Sequence, residues 1–353
     1  MTLVPFVIES EVPLARYTTL ELGGPARGFV TARSEDDLRR ALDWARRQAW
    51  PVLILGGGSN LVVSDEGFDG LVVRVGLLGK RIDADGEVWA AAGERWDPFV
   101  AETVAAGLSG FECLSGIPGT VGATPIQNVG AYGQEVSELV TEVRALNRDT
   151  GAVRSFLPED CDFAYRDSLF KRAPEWVVMS VRYRLRSGGP SEVRYPELQR
   201  ALADRPPAPA TVRQVVWSLR AKKSMVLSPG DPNRRSVGSF FTNPILEDAR
   251  AERVVARALE EGMVEEPKEV PRFGAGEGRS KLSAAWLIER SGTSKGLRRG
   301  TVGVSSAHTL ALVHHGGGRT EHLLKLAAEV RERVESVFGV RLVPEPNLVN
   351  CHL

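Results

Sequence analysis

The chain has little cysteine, little lysine and no long apolar run. Its three cysteines, Cys113, Cys161 and Cys351, are odd in number and far apart, which excludes the paired spacing of a secreted disulfide scaffold and points to a reducing compartment. Apolar stretches such as residues 51–55 fall far short of the ~20 residues needed to span a bilayer. The opening residues 1–12 carry Glu9 and Glu11 and lack the basic-then-apolar order of a signal peptide, so a soluble cytoplasmic protein is expected. Neither sign of charge prevails: 45 lysines and arginines balance 45 aspartates and glutamates, leaving no bulk electrostatic reason for a nucleic acid or a membrane as partner. Only 8 of those 45 basic residues are lysine. Histidine is confined to His308, His314, His315, His322 and His352, without an H-E-x-x-H pair or clustered cysteines, so no metal site is expected.

What the chain does have is glycine, 36 residues of it, and two glycine-rich stretches stand out. Residues 115–133, S-G-I-P-G-T-V-G-A-T-P-I-Q-N-V-G-A-Y-G, carry no charge and too little apolar bulk for a core helix. Such clustering fits a backbone that needs unusual dihedrals or close approach to a ligand, so a cofactor cradle is inferred. The second stretch, Gly56-Gly57-Gly58-Ser59-Asn60, directly follows the apolar run Val52 to Leu55. Three glycines after a strand can present successive N–H groups to phosphate oxygens, but the stretch is neither G-x-G-x-x-G nor a P-loop. On its own it reads equally as a ligand loop or a tight turn.

Short strands and helices alternate along the chain. Ser34 and Asp37 precede Leu38, Ala41, Leu42 and Ala45 at helical spacing, predicting a helix over about 35–48. Strands are expected at 52–55, 61–63, 71–73 and 88–92, a helix marked by Trp96, Phe99, Val100 and Val104, and a strand pair at 139–146 and 153–157 around the turn 147–151. A strand at 177–185 and helices from 196 and 211 follow, the latter two parted by prolines. Beyond a basic, turn-like segment at 222–235, where a domain boundary is placed, helices are expected at 246–261, 282–290 and from 323 to Gly339. This pattern favours α+β modules over one doubly wound sheet.

Three polar groups stand out in apolar surroundings. Ser239 sits between Gly238 and two phenylalanines, either a sheltered hydroxyl or a turn serine bonding backbone; G-x-S-x-G is absent. Arg166, between Tyr165 and Asp167, is either a structural ion-pair partner or a fork for a planar carboxylate. Glu345 lies between Pro344 and Pro346, either solvated or rigidly positioned.

The ordered set of residues 53–60, 115–133, Y-R-D-S-L-F-K at 165–171, G-S-F-F-T-N-P at 238–244 and P-E-P-N at 344–347 resembles the UDP-N-acetylenolpyruvoylglucosamine reductase family over nearly the whole chain. The resemblance implies a two-lobed FAD-binding fold of the vanillyl-alcohol oxidase type with an inserted α+β substrate-binding domain. The corresponding divisions are 1–70 and 71–222 for the lobes, 223–333 for the insertion, and 334–353 for a tail returning to the second lobe. It implies that Leu55, Gly56, Gly57, Gly58, Ser59 and Asn60 wrap FAD. From the longer stretch it adds Gly116, Ile117, Pro118, Gly119, Gly122 and Ala123, then Gln127, Asn128, Gly130, Ala131, Tyr132 and Gly133.

By the same resemblance NADPH reduces FAD, flavin N5 delivers hydride to C3 of UDP-N-acetylglucosamine enolpyruvate, and C2 is protonated, yielding the peptidoglycan precursor UDP-N-acetylmuramate. Arg166 then matches the substrate-carboxylate clamp, Glu345 the residue that assists its polarisation, and Ser239 the proton donor. Tyr165, Tyr195, Lys223, Asn243 and His308 are expected at the nucleotide sugar, Lys223 and Asn243 on its diphosphate. The sequence departs from the pattern at His314, where asparagine is usual, at Pro346, and at Pro196 and Glu197 after Tyr195. Competing readings are another FAD oxidoreductase acting on an alcohol or sugar, and a nucleotide-sugar sensor without catalysis. The oligomeric state is left open, with a monomer slightly favoured.

Overall fold

The computed structural model describes residues 7–353, which divide into two units. The first comprises the described residues through Pro13, Pro25–Gly58 and Gly67–Leu227; the second comprises Leu14–Gly24, Ser59–Glu66 and Ser228–Leu353.

In the first unit, parallel strands Pro25–Ala32, Phe68–Val75 and Val52–Leu55 lie side by side, with Glu9–Pro13 added antiparallel at the edge. The crossover from the first of these is helix Glu35–Arg47, and its start obeys the sequence closely. Ser34 accepts the Asp37 N–H and the Asp37 carboxylate accepts the Ser34 N–H, closing a capping box, while Leu38, Ala41, Leu42 and Ala45 are buried.

A second, five-stranded antiparallel sheet runs Val153–Phe156, Val140–Asn147, Trp176–Arg184, Glu87–Ala91, Lys80–Ile82. Both sheets feed one core, whose aromatic centre is Trp96, Phe99, Phe111 and Tyr183. Trp96 buries its indole and donates from Nε1 to the Leu114 carbonyl at 3.1 Å, so helix Trp96–Ala105 anchors the chain entering the glycine-rich stretch. A smaller core of Cys113, Leu198, Leu202, Val212, Val215 and Val216 packs helices Pro196–Leu202 and Pro209–Lys222 beside it.

The second unit has two three-stranded antiparallel sheets, one of Ile245–Glu247, Arg279–Leu282 and Arg272–Gly274, the other of Arg298–Arg299, Val302–Val304 and Leu312–His314. Helices Asp248–Glu260, Ala284–Arg290 and Thr320–Phe338 pack on a core that includes Leu287, Leu312, Leu326 and Val330. The long helix ends at Gly339, in left-handed backbone (φ 64°) that suits glycine. Its first amides, of Thr320 and Glu321, are capped by the two carboxylate oxygens of Asp65 at 2.9 and 3.0 Å. His314 is buried, with Nδ1 donating to the Leu20 carbonyl and Nε2 accepting from the Gly318 N–H, so the neutral ring ties segment 14–24 to the sheet.

This partition differs from the expected boundaries in three respects. The division at 70/71 falls inside strand Phe68–Val75, whose hydrogen bonds run to strands on both sides. Segments 14–24 and 59–66 leave the first unit for the second because Leu20, Leu22 and Val62 bury in its core. The tail, expected on the second flavin lobe, pairs instead through Asn347–Val349 with Leu61–Val63 in parallel register. Among the described residues no helix is long and apolar enough to cross a membrane.

Candidate active site

The two glycine stretches meet backbone to backbone. A Cβ on Gly57 would lie 2.7 Å from Cα of Gly119, and one on Gly56 2.9 Å from Oγ1 of Thr120. Gly122 is as tight, since a Cβ there would fall 2.5 Å from that of Ala92. Leu55, buried at the end of its strand, and Ile117 and Ala131, half-buried against the first core, flank these contacts, with Pro118, Ala123 and Gln127 in the same stretch. The N–H groups of Gly57 and Gly58 have no acceptor among the described residues. A cradle closed to side chains but retaining amide donors fits the diphosphate of a flavin dinucleotide. Asn128 does something else: buried and at φ 41°, it donates to Glu135 and to the Ala164 carbonyl and accepts from Ser137, so it shapes the loop from within.

The turn at Gly116 (φ 73°) is held by a carboxylate that sequence reasoning missed. Asp97 accepts the Gly116 N–H at 2.6 Å and both arms of the Arg213 guanidinium at 2.7 and 3.1 Å, and the Trp217 side chain adds a further bond. Burial pushes this carboxyl up, but the bonds from Arg213 and Gly116 outweigh it and hold it below the ordinary aspartate value. A lowered carboxyl contributes stability above its unfolded pKa of ~3.9 and loses it as pH falls through the folded value. Asp97→Asn is therefore expected to cost about 2–3 kcal/mol at pH 7 and progressively less below about pH 4, read from urea melts at the two pH values. A cost independent of pH would contradict an ionised Asp97.

Arg220, on the same helix as Arg213, donates from Nη2 to the Met225 carbonyl at 2.7 Å while its Nε is buried without a partner. That nitrogen lies 3.4 Å from where a Gly116 Cβ would sit, and burial brings the guanidinium down to about 10. Leaving such a donor unsatisfied costs on the order of 1–3 kcal/mol, so a ligand acceptor is its natural partner.

Arg166 occupies a left-handed turn (φ 56°) bracketed by an Ala164–Asp167 bridge. Its Nη2 donates to the Gly130 carbonyl at 2.7 Å and its guanidinium lies 5.1 Å from the Tyr165 ring, which places it against the glycine-rich stretch. The neighbouring Asp167 pairs with Arg172. Close by in the smaller core, Tyr132 and Tyr195 meet edge to face at 5.6 Å, and Lys223 sits 5.9 Å from the Tyr132 ring while its ammonium pairs with Glu197 at 2.7 Å. Burial raises both phenols, Tyr132 to about 12, so they stay protonated donors at neutral pH. Pro196 and Glu197, the departures after Tyr195, open helix Pro196–Leu202 and supply the partner of Lys223.

In the second unit, an isolated antiparallel bridge joins Phe241 to Pro344. The Glu345 N–H donates to the Phe240 carbonyl at 2.9 Å, so the backbone of Glu345 lies beside that of Ser239-Phe240. Phe240 and Phe241 are buried and stacked edge to face, which seats the half-buried Ser239 on rigid chain just after Gly238 (φ 74°). Asn60 adds its side-chain amide to the Glu345 carbonyl at 3.3 Å and accepts the Asn347 N–H at 3.1 Å; Ser59 accepts from Thr19, which also bonds the Ser236 carbonyl. Thus Gly56–Gly58 belong to the first unit, and Ser59 and Asn60 to the second. Asn243 accepts the first N–H of helix Ala284–Arg290 at 2.9 Å, and His308 lies on the 305–311 turn.

Residues 26–156 match an FAD binding domain model, and residues 231–349 match the C-terminal domain of UDP-N-acetylenolpyruvoylglucosamine reductase. A reductase of that name from Saccharopolyspora erythraea is 51% identical over 350 residues, covering 96% of this chain and 95% of the relative. The chain belongs to the UDP-N-acetylenolpyruvoylglucosamine reductase family. A Thermobifida fusca member is 50% identical over 354 residues, 97% of this chain and 98% of the relative. The crystal structure of the Thermus caldophilus reductase superposes with a TM-score of 0.68 at 28% identity, covering 98% of this chain and all of that one. Sequence reasoning missed Asp97, Arg213 and Arg220, and no local pattern could have found them: Asp97 bonds the Gly116 amide, Arg213 bonds Asp97, and Arg220 lies beside the Gly116 turn, each from another part of the chain.

Proposed function

We propose that this chain makes UDP-N-acetylmuramate by NADPH-dependent reduction of UDP-N-acetylglucosamine enolpyruvate, a step of peptidoglycan precursor synthesis, with its flavin unit of the vanillyl-alcohol oxidase kind. FAD, when bound, would supply the hydride-transfer chemistry that links NADPH to C3 of the substrate alkene. The glycine cradle and the Arg220 Nε hold the cofactor; the Arg166 fork accepts the substrate carboxylate, on which negative charge grows as hydride arrives. Donors that meet charge as it develops lower the barrier more than donors that bind the ground state. Glu345 assists that polarisation and the Ser239 hydroxyl gives its proton to C2, completing the saturated lactyl ether.

Lys223 and Asn243 take the diphosphate, and Tyr165, Tyr195 and His308 the rest of the nucleotide sugar; Lys223 then shares its charge between Glu197 and phosphate. Its NADPH and nucleotide-sugar substrates make this a cytoplasmic enzyme. The observation that carries the catalytic assignment is the Phe241–Pro344 bridge, which brings Ser239 and Glu345 together from opposite ends of the second unit's C-terminal part.

The clamp is tested with Arg166→Lys in anaerobic stopped flow. Lysine cannot reproduce a two-armed fork, so kcat/KM for the enolpyruvyl nucleotide is expected to fall roughly a hundredfold, the effect of losing one transition-state donor. A fall of less than about threefold, well below that range, would remove Arg166 from the carboxylate.

A further inference from the structure

A buried carboxylate that the reaction does not use lies just before the glycine-rich stretch. Glu112 is 2% exposed, in the short turn Glu112–Leu114, and no arginine or lysine of the described residues pairs with it. One of its oxygens accepts the Gly110 N–H, closing its own turn, and the other accepts the hydroxyl of Ser191. Ser191, itself buried, donates its N–H to the Pro207 carbonyl at 2.7 Å. A buried charge without a cation is costly unless hydrogen bonds satisfy it, so both donors are needed where they are.

Ser191 opens the segment that leads to Tyr195, and Cys113, next to Glu112, packs in the same small core as Val193, Tyr195 and Tyr132. We propose that the Glu112–Ser191 hydrogen bond is a latch that holds the 191–195 strap against the cofactor-loop entrance and so positions Tyr195 for the nucleotide substrate. Glu112 and Ser191 are positioning residues; they act through Tyr195. The latch joins two parts of the site, because the turn bonded by Glu112 continues through Ser115, whose hydroxyl donates to the Glu112 carbonyl at 2.7 Å, into Gly116. The inference rests on the reading of Tyr195 as a substrate contact.

The test uses the FAD-loaded full chain carrying Ser191→Ala, Tyr195→Phe, or both, with Glu112→Gln as the conservative variant. Ser191→Ala is expected to raise KM for UDP-N-acetylglucosamine enolpyruvate about tenfold, as for loss of a hydrogen bond to a charged group, without changing flavin reduction by NADPH. Exchange of the Ser191 amide, bonded to the Pro207 carbonyl, should quicken in Ser191→Ala and stay protected in Tyr195→Phe. Adding Ser191→Ala to Tyr195→Phe should raise KM by less than about twofold, the non-additivity expected of residues acting as a unit. Glu112→Gln keeps an oxygen for Gly110 and an amide for Ser191, and should keep the protection.

Wild-type exchange and KM in Ser191→Ala would overturn the latch, as would full additivity in the double variant. A wild-type KM in Tyr195→Phe alone would instead remove Tyr195 from the substrate. That failure is separate, because exchange in Ser191→Ala reads the latch by itself.

Discussion

Ser239→Ala enzyme is expected to accept hydride from NADPH at the wild-type rate and then to stall, its flavin reoxidised by the enolpyruvyl nucleotide roughly a thousandfold more slowly, within the range for loss of a general acid. A hydroxyl is a weak acid in water, yet the carbanionic substrate formed by hydride addition is strongly basic, and a proton crossing one hydrogen bond needs no solvent. The position is built for it: Gly238 at φ 74° turns the chain, and two buried phenylalanines hold it. Removing the Oγ atom leaves that backbone untouched, so the two half-reactions should separate cleanly in anaerobic stopped flow. Ser239→Cys, which keeps a proton to give, should recover part of the loss. Reoxidation within about tenfold of wild type in the alanine variant, below the range for a general acid, would transfer the proton donation to another group.

Gly57→Ala should yield a protein that loses its yellow colour on gel filtration, its FAD affinity down by about a hundredfold. The cause is steric alone, since Gly57 does not have positive φ. The new methyl would sit 2.7 Å from Cα and 3.1 Å from the carbonyl carbon of Gly119, and backbone on both sides cannot swing away as a side chain would. Relieving it means parting the two glycine stretches, at an overpacking cost of about 1–3 kcal/mol, and a parted cradle no longer presents its amides together. Gly230→Ala is the control, with ordinary φ and nothing within 4 Å of the added carbon. Stoichiometric FAD in purified Gly57→Ala would show that the loops do not carry the cofactor.

Local patterns proved readable where a few neighbouring residues decide the outcome. Ser34, Asp37 and the Leu38–Ala45 periodicity place a capped helix at Glu35–Arg47, and Asn147 makes the expected turn by accepting the N–H groups of Asp149 and Thr150. The boundary at 70/71 failed because strand Phe68–Val75 is continuous in a parallel sheet, and parallel pairing partners lie too far along the chain to mark each other. The transfer of segments 14–24 and 59–66 to the second unit was invisible for the same reason: Leu20 and Val62 look like ordinary core residues, and nothing in them says which core.

The candidate site divides along that line. Gly57, Gly119, Arg166, Ser239 and Glu345 could be singled out as candidates because each stands in a short, compositionally odd string. Asp97, Arg213, Arg220 and the Glu112–Ser191 pair were not, since an aspartate early in a helix or a serine after a proline has many ordinary explanations. Motif order determined the family and, through that resemblance, the cofactor, and local periodicity marked helices such as Glu35–Arg47, all properties of residues near one another in the chain. Which carboxylate grips the Gly116 amide, which unit the tail joins and which hydroxyl reaches Glu112 were decided only by the tertiary structure, because a hydrogen bond or a shared core between distant segments depends on how the chain is brought together in space and leaves no period in the sequence.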